Sequence, residues 1–137
     1  MNKIILSIIL AGFGTQLIKL IILYFKHKKL TGHDLLVTGG MPSSHAAFVT
    51  SLATSIYLAE NNSTAFAISL VLAFIVIRDA MGVRRAVGEE EHILNQILKK
   101  LKIKTKIHYS MGHTPLQVLV GSILGIIIAA LIYYLIN

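Results

Sequence analysis

The 137-residue sequence has no cysteine and no tryptophan, and only six of its residues are acidic. Without cysteine, disulfides and thiolate metal sites are excluded. Charged residues make up 14% of the chain and hydrophobic residues 55%, a balance that argues against an ordinary soluble domain. Thirteen Lys and Arg leave a net charge of +7, which taken alone would suggest nucleic acid. That partner is not expected. Nucleic-acid binding needs a basic soluble face with stacking aromatics, and no such stripe is present. In a membrane chain the same charge marks cytoplasmic loops and contacts with anionic headgroups. An i, i+4 histidine pair beside a carboxylate is also missing, so no metal or other cofactor is expected. Internal repeats and low-complexity tracts are absent.

Four apolar segments are present. The first, Ile4 to Phe25, is too long for a signal peptide, and no small-residue cleavage site precedes the basic cluster after it. The second runs from about His45 to Ala59 and the third from about Ala65 to Ile77. Both lie at the lower edge of spanning length, which permits tilted or re-entrant packing. The fourth, Leu116 to Ile136, is the cleanest span. Between the third and fourth, Glu89 to Lys106 places Ile93, Leu94, Ile97, Leu98 and Leu101 at helical spacing. Glutamates open this stretch and lysines close it, as the helix dipole prefers, so it predicts an amphipathic surface helix. The expected architecture is an all-α membrane bundle in one domain, residues 1–137, with about four spans and one interfacial helix.

Eleven of the 13 basic residues fall after the first segment or between the third and fourth. Lys3 lies on the other side and Lys19 within the first span. The asymmetry places both large loops in the cytoplasm and both termini outside, in a multi-pass protein expected in a bacterial plasma membrane.

This topology gathers the unusual polar residues at one face. His45 follows Pro42-Ser43-Ser44 at the entry to the second segment, and His113 precedes Thr114-Pro115 at the entry to the fourth. A histidine is costly in hydrocarbon, whereas a helix start offers unpaired N–H groups to an anion. The pair therefore marks a phosphate-handling site at the membrane surface. Lys19 in the first span is read as facing a protein interior or a water-filled cleft, with snorkelling to the headgroups as the alternative. Arg78, Arg84 and Arg85 supply further cations, since guanidinium groups suit bidentate contacts to phosphate. They serve equally as headgroup anchors. Asp79 is read as a partner for Arg84 or Arg85 that orders the loop. For His27, His33, His92 and His108 no site role is expected.

The motifs Pro42-Ser43-Ser44-His45, Arg78-Asp79-Ala80-Met81-Gly82-Val83-Arg84-Arg85 and Gly112-His113-Thr114-Pro115, in that order and each at a membrane boundary, resemble the divergent branch of the type 2 phosphatidic acid phosphatase superfamily, which is related to acid phosphatases and vanadium-dependent haloperoxidases. The resemblance implies phosphate binding by Ser43 and Ser44, His45 as general acid, and His113 as a nucleophile forming a phosphohistidine. The implied activity is metal-free hydrolysis of a lipid phosphate or pyrophosphate, a phosphoric ester or anhydride, with membrane lipids as partners.

The sequence also departs from the family pattern. Four residues after His113 stands Gln117 where the superfamily has an aspartate. Gln117 can fix the imidazole tautomer but cannot stabilise an imidazolium by charge. Ile107 stands where an arginine is expected, and Lys19 is the candidate nearest to the missing Lys…Arg-Pro motif. These departures keep open a catalytically weak relative that binds lipid phosphate as a carrier, sensor or scaffold. A small transporter subunit would need more polar residues along the spans. Gly121 and Gly125 form a G-x-x-x-G pattern that permits close packing inside the monomer or across a homo-oligomer. The topology is checked by tagging: epitopes at both termini should be reached from outside intact cells, and cytoplasmic exposure of either one overturns the orientation.

Overall fold

The computed structural model describes residues 2–27, 40–105 and 112–136 and is all-helical over them. Its helices are α1 (Lys3–His27), α2 (Ser44–Glu60), α3 (Thr64–Met81), α4 (Val83–Lys100) and α5 (Pro115–Leu135). In hydrocarbon every backbone polar group must be satisfied internally, so apolar runs become helices even where they are rich in Ile, whose propensity is modest. Short polar sequences set the ends. Ser43 caps α2 by accepting the Ala46 N–H at 3.3 Å, and Ser63 caps α3 by accepting the Phe66 N–H at 3.1 Å. Asn61, at φ 54°, turns the chain between α2 and α3.

Three helical stretches, Lys3–Phe25, Thr64–Lys100 and Pro115–Leu135, are long and apolar enough to cross a bilayer. The second apolar segment, expected as a short span, is the 17-residue α2. At ~1.5 Å per residue its 17 residues are ~25 Å long, at the lower edge of spanning length as expected. It is the centre of the bundle, packed against α1, α3 and α5. The interfacial helix begins at Val83, earlier than the Glu89 expected, and ends at Lys100. The reason is local: Gly82 closes α3 by donating to the Arg78 carbonyl and opens α4 by accepting from Ala86. One residue therefore makes the corner. Ile93, Leu94 and Ile97 remain exposed on α4.

Burial is inverted relative to a water-soluble domain, where the large aliphatics go inside. Phe13, Phe25, Phe74 and Leu135 are exposed, while the core holds Ala11, Ala46, Ala47, Ala53, Ala73, Ala80 and Ala129. Most buried hydroxyls are met within their own helices, as when Thr15 donates to the Ala11 carbonyl at 2.7 Å; Ser55 Oγ has no partner among the described residues. Lipid competes for large apolar side chains, so small residues that let backbones approach drive helix association.

The α2–α5 contact shows this most clearly. A Cβ on Gly121 would strike the Ser43 carbonyl, and one on Gly125 would strike the Ala47 carbonyl and the Thr50 hydroxyl. The G-x-x-x-G pair thus packs within the chain. Thr50 Oγ1 also lies 3.1 Å from the Ser122 carbonyl. Such interhelical hydrogen bonds average about 0.6 kcal/mol in bilayers, so the glycine packing carries the larger share. Gly121→Ala and Gly125→Ala should each destabilise the bundle by about 1–3 kcal/mol, the scale of overpacking. Gly14→Ala, which meets nothing within 4 Å, should be neutral or stabilising. Thermal unfolding in detergent separates the two signs.

Candidate active site

The Pro42–His45 turn sits where α2 starts beside the start of α5. Ser43 is fully buried, and its N–H donates to the Gln117 carbonyl at 3.1 Å. From the other side, the His113 N–H donates to the Ala80 carbonyl at 2.9 Å, tying the entry of α5 to the end of α3. These two backbone bonds bring both histidines together. Their ring centroids are 6.2 Å apart, with the planes tilted by 57°.

His113 is 2% exposed, and its ring is held from one side. Nδ1 lies 3.3 Å from Gln117 Oε1, an acceptor, so this nitrogen carries the proton and Nε2 carries the lone pair. Gln117 Oε1 also accepts the Thr114 N–H at 3.1 Å, while Thr114 Oγ1 accepts the Gln117 N–H at 3.4 Å. Thr114 and Gln117 thus form a capping box at the start of α5. By geometry two buried nitrogens, His45 Nδ1 and His113 Nε2, make no hydrogen bond among the described residues, although the Gly40 backbone lies close enough to His113 to favour its protonated form. Buried polar atoms left without partners are rare outside functional sites.

Cations surround the rings. Lys19 is 3% exposed and packs its Cε about 3.3 Å from the Cβ position of Gly40. It is therefore directed into the protein and not towards the headgroups. Gly40 has φ +99°, a backbone that a side chain at this close approach would strain. Arg84 Nε donates to Asp79 Oδ2 at 2.7 Å, with both side chains partly exposed. Lys19 and Arg84 each lie within electrostatic reach of both histidines. Burial is the main influence on His113 and pushes its pKa below 6.5. Lys19 and Arg84 push the same way, against the Gln117 hydrogen bond and the Gly40 backbone.

The predicted site residues divide accordingly. Lys19, Ser43, Ser44, Arg84, His45, His113 and Gln117 converge at one end of the bundle. Ser43, expected to offer its hydroxyl and N–H to phosphate, gives its N–H to the Gln117 carbonyl and uses its hydroxyl oxygen to cap α2, whereas Ser44 lines a cavity beside His45. Arg78 is exposed on the last turn of α3, with no contact to either histidine among the described ones. The Arg85 side chain, Ile107, His33 and His108 lie outside the described residues. Gly40 was not anticipated, nor was the cavity of about 290 Å³ lined by Gly12, Phe13, Gln16, Ser44, His45 and Phe48. The capping box could have been read from Thr114-Pro115-Leu116-Gln117, which has the S/T-x-x-E/Q form.

The family model of the Divergent PAP2 family matches residues 1–128 of the chain. The chain belongs to this family. The uncharacterized membrane protein YuiD of Bacillus subtilis (strain 168) is 34% identical over 151 aligned residues, which cover 97% of this chain and 95% of that protein. No solved structure is significantly similar to the chain. Membership and relative both agree with an integral membrane protein.

The depressed His113 pKa has a readable consequence. The unfolded chain takes up a proton as pH falls through 6.5, while the folded chain resists it. Stability contributed by the neutral ring is therefore complete well above pH 6.5 and is lost progressively below it. Nitrogen NMR of the imidazoles should show His113 still neutral, with Nδ1 protonated, at pH 6.5. A half-protonated ring at that pH overturns the assignment.

Proposed function

We propose that the protein is a metal-free phosphatase of lipid phosphates or pyrophosphates, its site opening to the cytoplasmic face. One observation carries the reading: His113 has Nδ1 tied to Gln117 while its buried Nε2 stays unpartnered among the described residues, with a second histidine ring 6.2 Å away. A nucleophilic histidine needs this arrangement, with one nitrogen oriented and the other exposing its lone pair to substrate.

In the proposed reaction His113 Nε2 forms a bond to phosphorus as the ester P–O bond breaks. His45 gives the departing oxygen its proton. Water then attacks the phosphohistidine and passes a proton to His45, and inorganic phosphate leaves. The transition state spreads negative charge over the equatorial oxygens, and fixed cations and N–H donors stabilise it. Lys19 supplies a buried charge and Arg84 a second one, while the start of α2 at Ser44 offers donors. A half-exposed ion pair is worth at most about 1 kcal/mol, so Arg84 can exchange Asp79 for phosphate at little cost.

A second reading, a weak or inactive binder of lipid phosphate, is favoured by Gln117. Its oxygen is neutral and is shared between the His113 ring and the Thr114 N–H, so an imidazolium gains less than from a carboxylate. Purified protein in detergent should release phosphate from phosphatidic acid without added metal, and vanadate should block it. His113→Ala should lower turnover by ~10³-fold or more. Gln117→Glu keeps the capping box and adds charge, so it should raise turnover. Losing a carboxylate behind a catalytic histidine can cost up to ~10⁴-fold. Binding of phosphatidic acid with no turnover in wild type or Gln117→Glu would decide for the second reading.

A further inference from the structure

We infer that the groove between α1 and α2 holds the hydrocarbon chain of the lipid whose phosphate lies at the histidine pair, so that Gly12 and Phe48 set which chains are accepted. The inference rests on the site proposed above but concerns the tail and not the chemistry. The groove of about 290 Å³ is lined by Gly12, Phe13, Gln16, Ser44, His45 and Phe48. Its upper end is therefore part of the site, because His45 and Ser44 are wall residues of both. From Gln16 to Gly12 the wall descends one helical turn, ~5.4 Å, towards the bilayer interior. Phe13 and Phe48, 73% and 45% exposed, form apolar sides.

The floor is set by a missing side chain. A Cβ on Gly12 would come within 2.7 Å of the Phe48 ring, so glycine is what allows the ring to lie against α1 and leaves the channel beside it. Apolar lining alone does not select an occupant. A larger groove of about 460 Å³ on α3, lined by Thr64, Ala67, Ile68, Val71, Leu72 and Ile75, has no charged group, and any lipid chain would suit it. The α1–α2 groove differs in ending at His45, which lies within electrostatic reach of both Lys19 and Arg84. That complement suits an anionic head on an apolar chain, and a zwitterionic lipid lacks the net charge to exploit it.

The test uses full-length protein in phosphatidylcholine nanodiscs. The probe is phosphatidic acid with a diazirine in mid-chain, and the same chains on a phosphocholine head serve as comparison. Photolabelling by the phosphatidic acid probe should concentrate on residues 12–16 of α1 and 44–48 of α2. The phosphocholine probe should label this groove no more than the α3 groove. Equal labelling of both grooves by both probes overturns the inference. Gly12→Leu should cut labelling at α2 roughly tenfold, the scale of a small misfit in an apolar pocket. Because Gly12→Leu displaces Phe48 and could perturb folding, Phe48→Ala provides a second variant. It widens the groove and should shift the preference of bound lipid towards branched chains; an unchanged preference counts against the inference. Phosphate release is read separately. Focused labelling without release leaves the groove standing and removes the hydrolase. Release with dispersed labelling does the reverse.

Discussion

The close approach of α2 and α5 is the constraint on which the other features depend. Two glycines one helical turn apart let the α5 backbone contact the backbone of α2, with the carbonyls of Ser43 and Ala47 where side chains would otherwise stand. Only at that separation can the Ser43 N–H reach the Gln117 carbonyl. The bond joins the P-S-S-H turn to the residue that holds His113. Bundle packing and site geometry are therefore one problem: moving the helices apart by the width of a methyl group separates the rings as well.

The same economy governs Gln117, whose single oxygen caps α5 and orients His113. A helix start in a membrane bundle leaves N–H groups that must be met by the chain itself, and Thr114 with Gln117 meets two of them. A side-chain oxygen thus has a structural reason to be present at this position. A glutamate could do the same capping and add a charge, so capping does not explain the amide; a function that needs a neutral group behind the histidine would. Here the chain departs from its superfamily, and the departure falls on the residue that separates turnover from binding.

Much of the bundle was legible because its signals are local. Apolar length, the Thr114-Pro115 helix start and the heptad-like Ile93, Leu94 and Ile97 each report on their own surroundings. The histidine pair and Lys19 were legible because polar groups in hydrocarbon are costly. For Ser43 the sequence is ambiguous: a serine at a helix start can cap through its oxygen and donate through its hydroxyl, and only the fold shows that its N–H goes to Gln117. The groove at Gly12 was invisible, since it depends on where Phe48 of α2 meets α1, a contact between residues 36 positions apart that periodicity does not encode. The start of α4 lies earlier than expected because Gly82 serves both helices at once.

The cations of the site differ in how they are held, and this bears on function more than their number does. Lys19 is enclosed by the bundle and confined against Gly40, so its amino group is held at that place. Arg84 stands on the first turn of α4, beyond the Gly82 corner, and is held by a partly exposed carboxylate. The apolar face of α4 makes little contact with the bundle and is suited to lie in the headgroup layer. A fixed charge with a movable one fits a site that must admit a phosphate and later release it. Two enclosed charges would bind the anion more tightly but slow its departure. The half-exposed Arg84–Asp79 pair is therefore better understood as a resting position for the arginine than as a stabilising bridge.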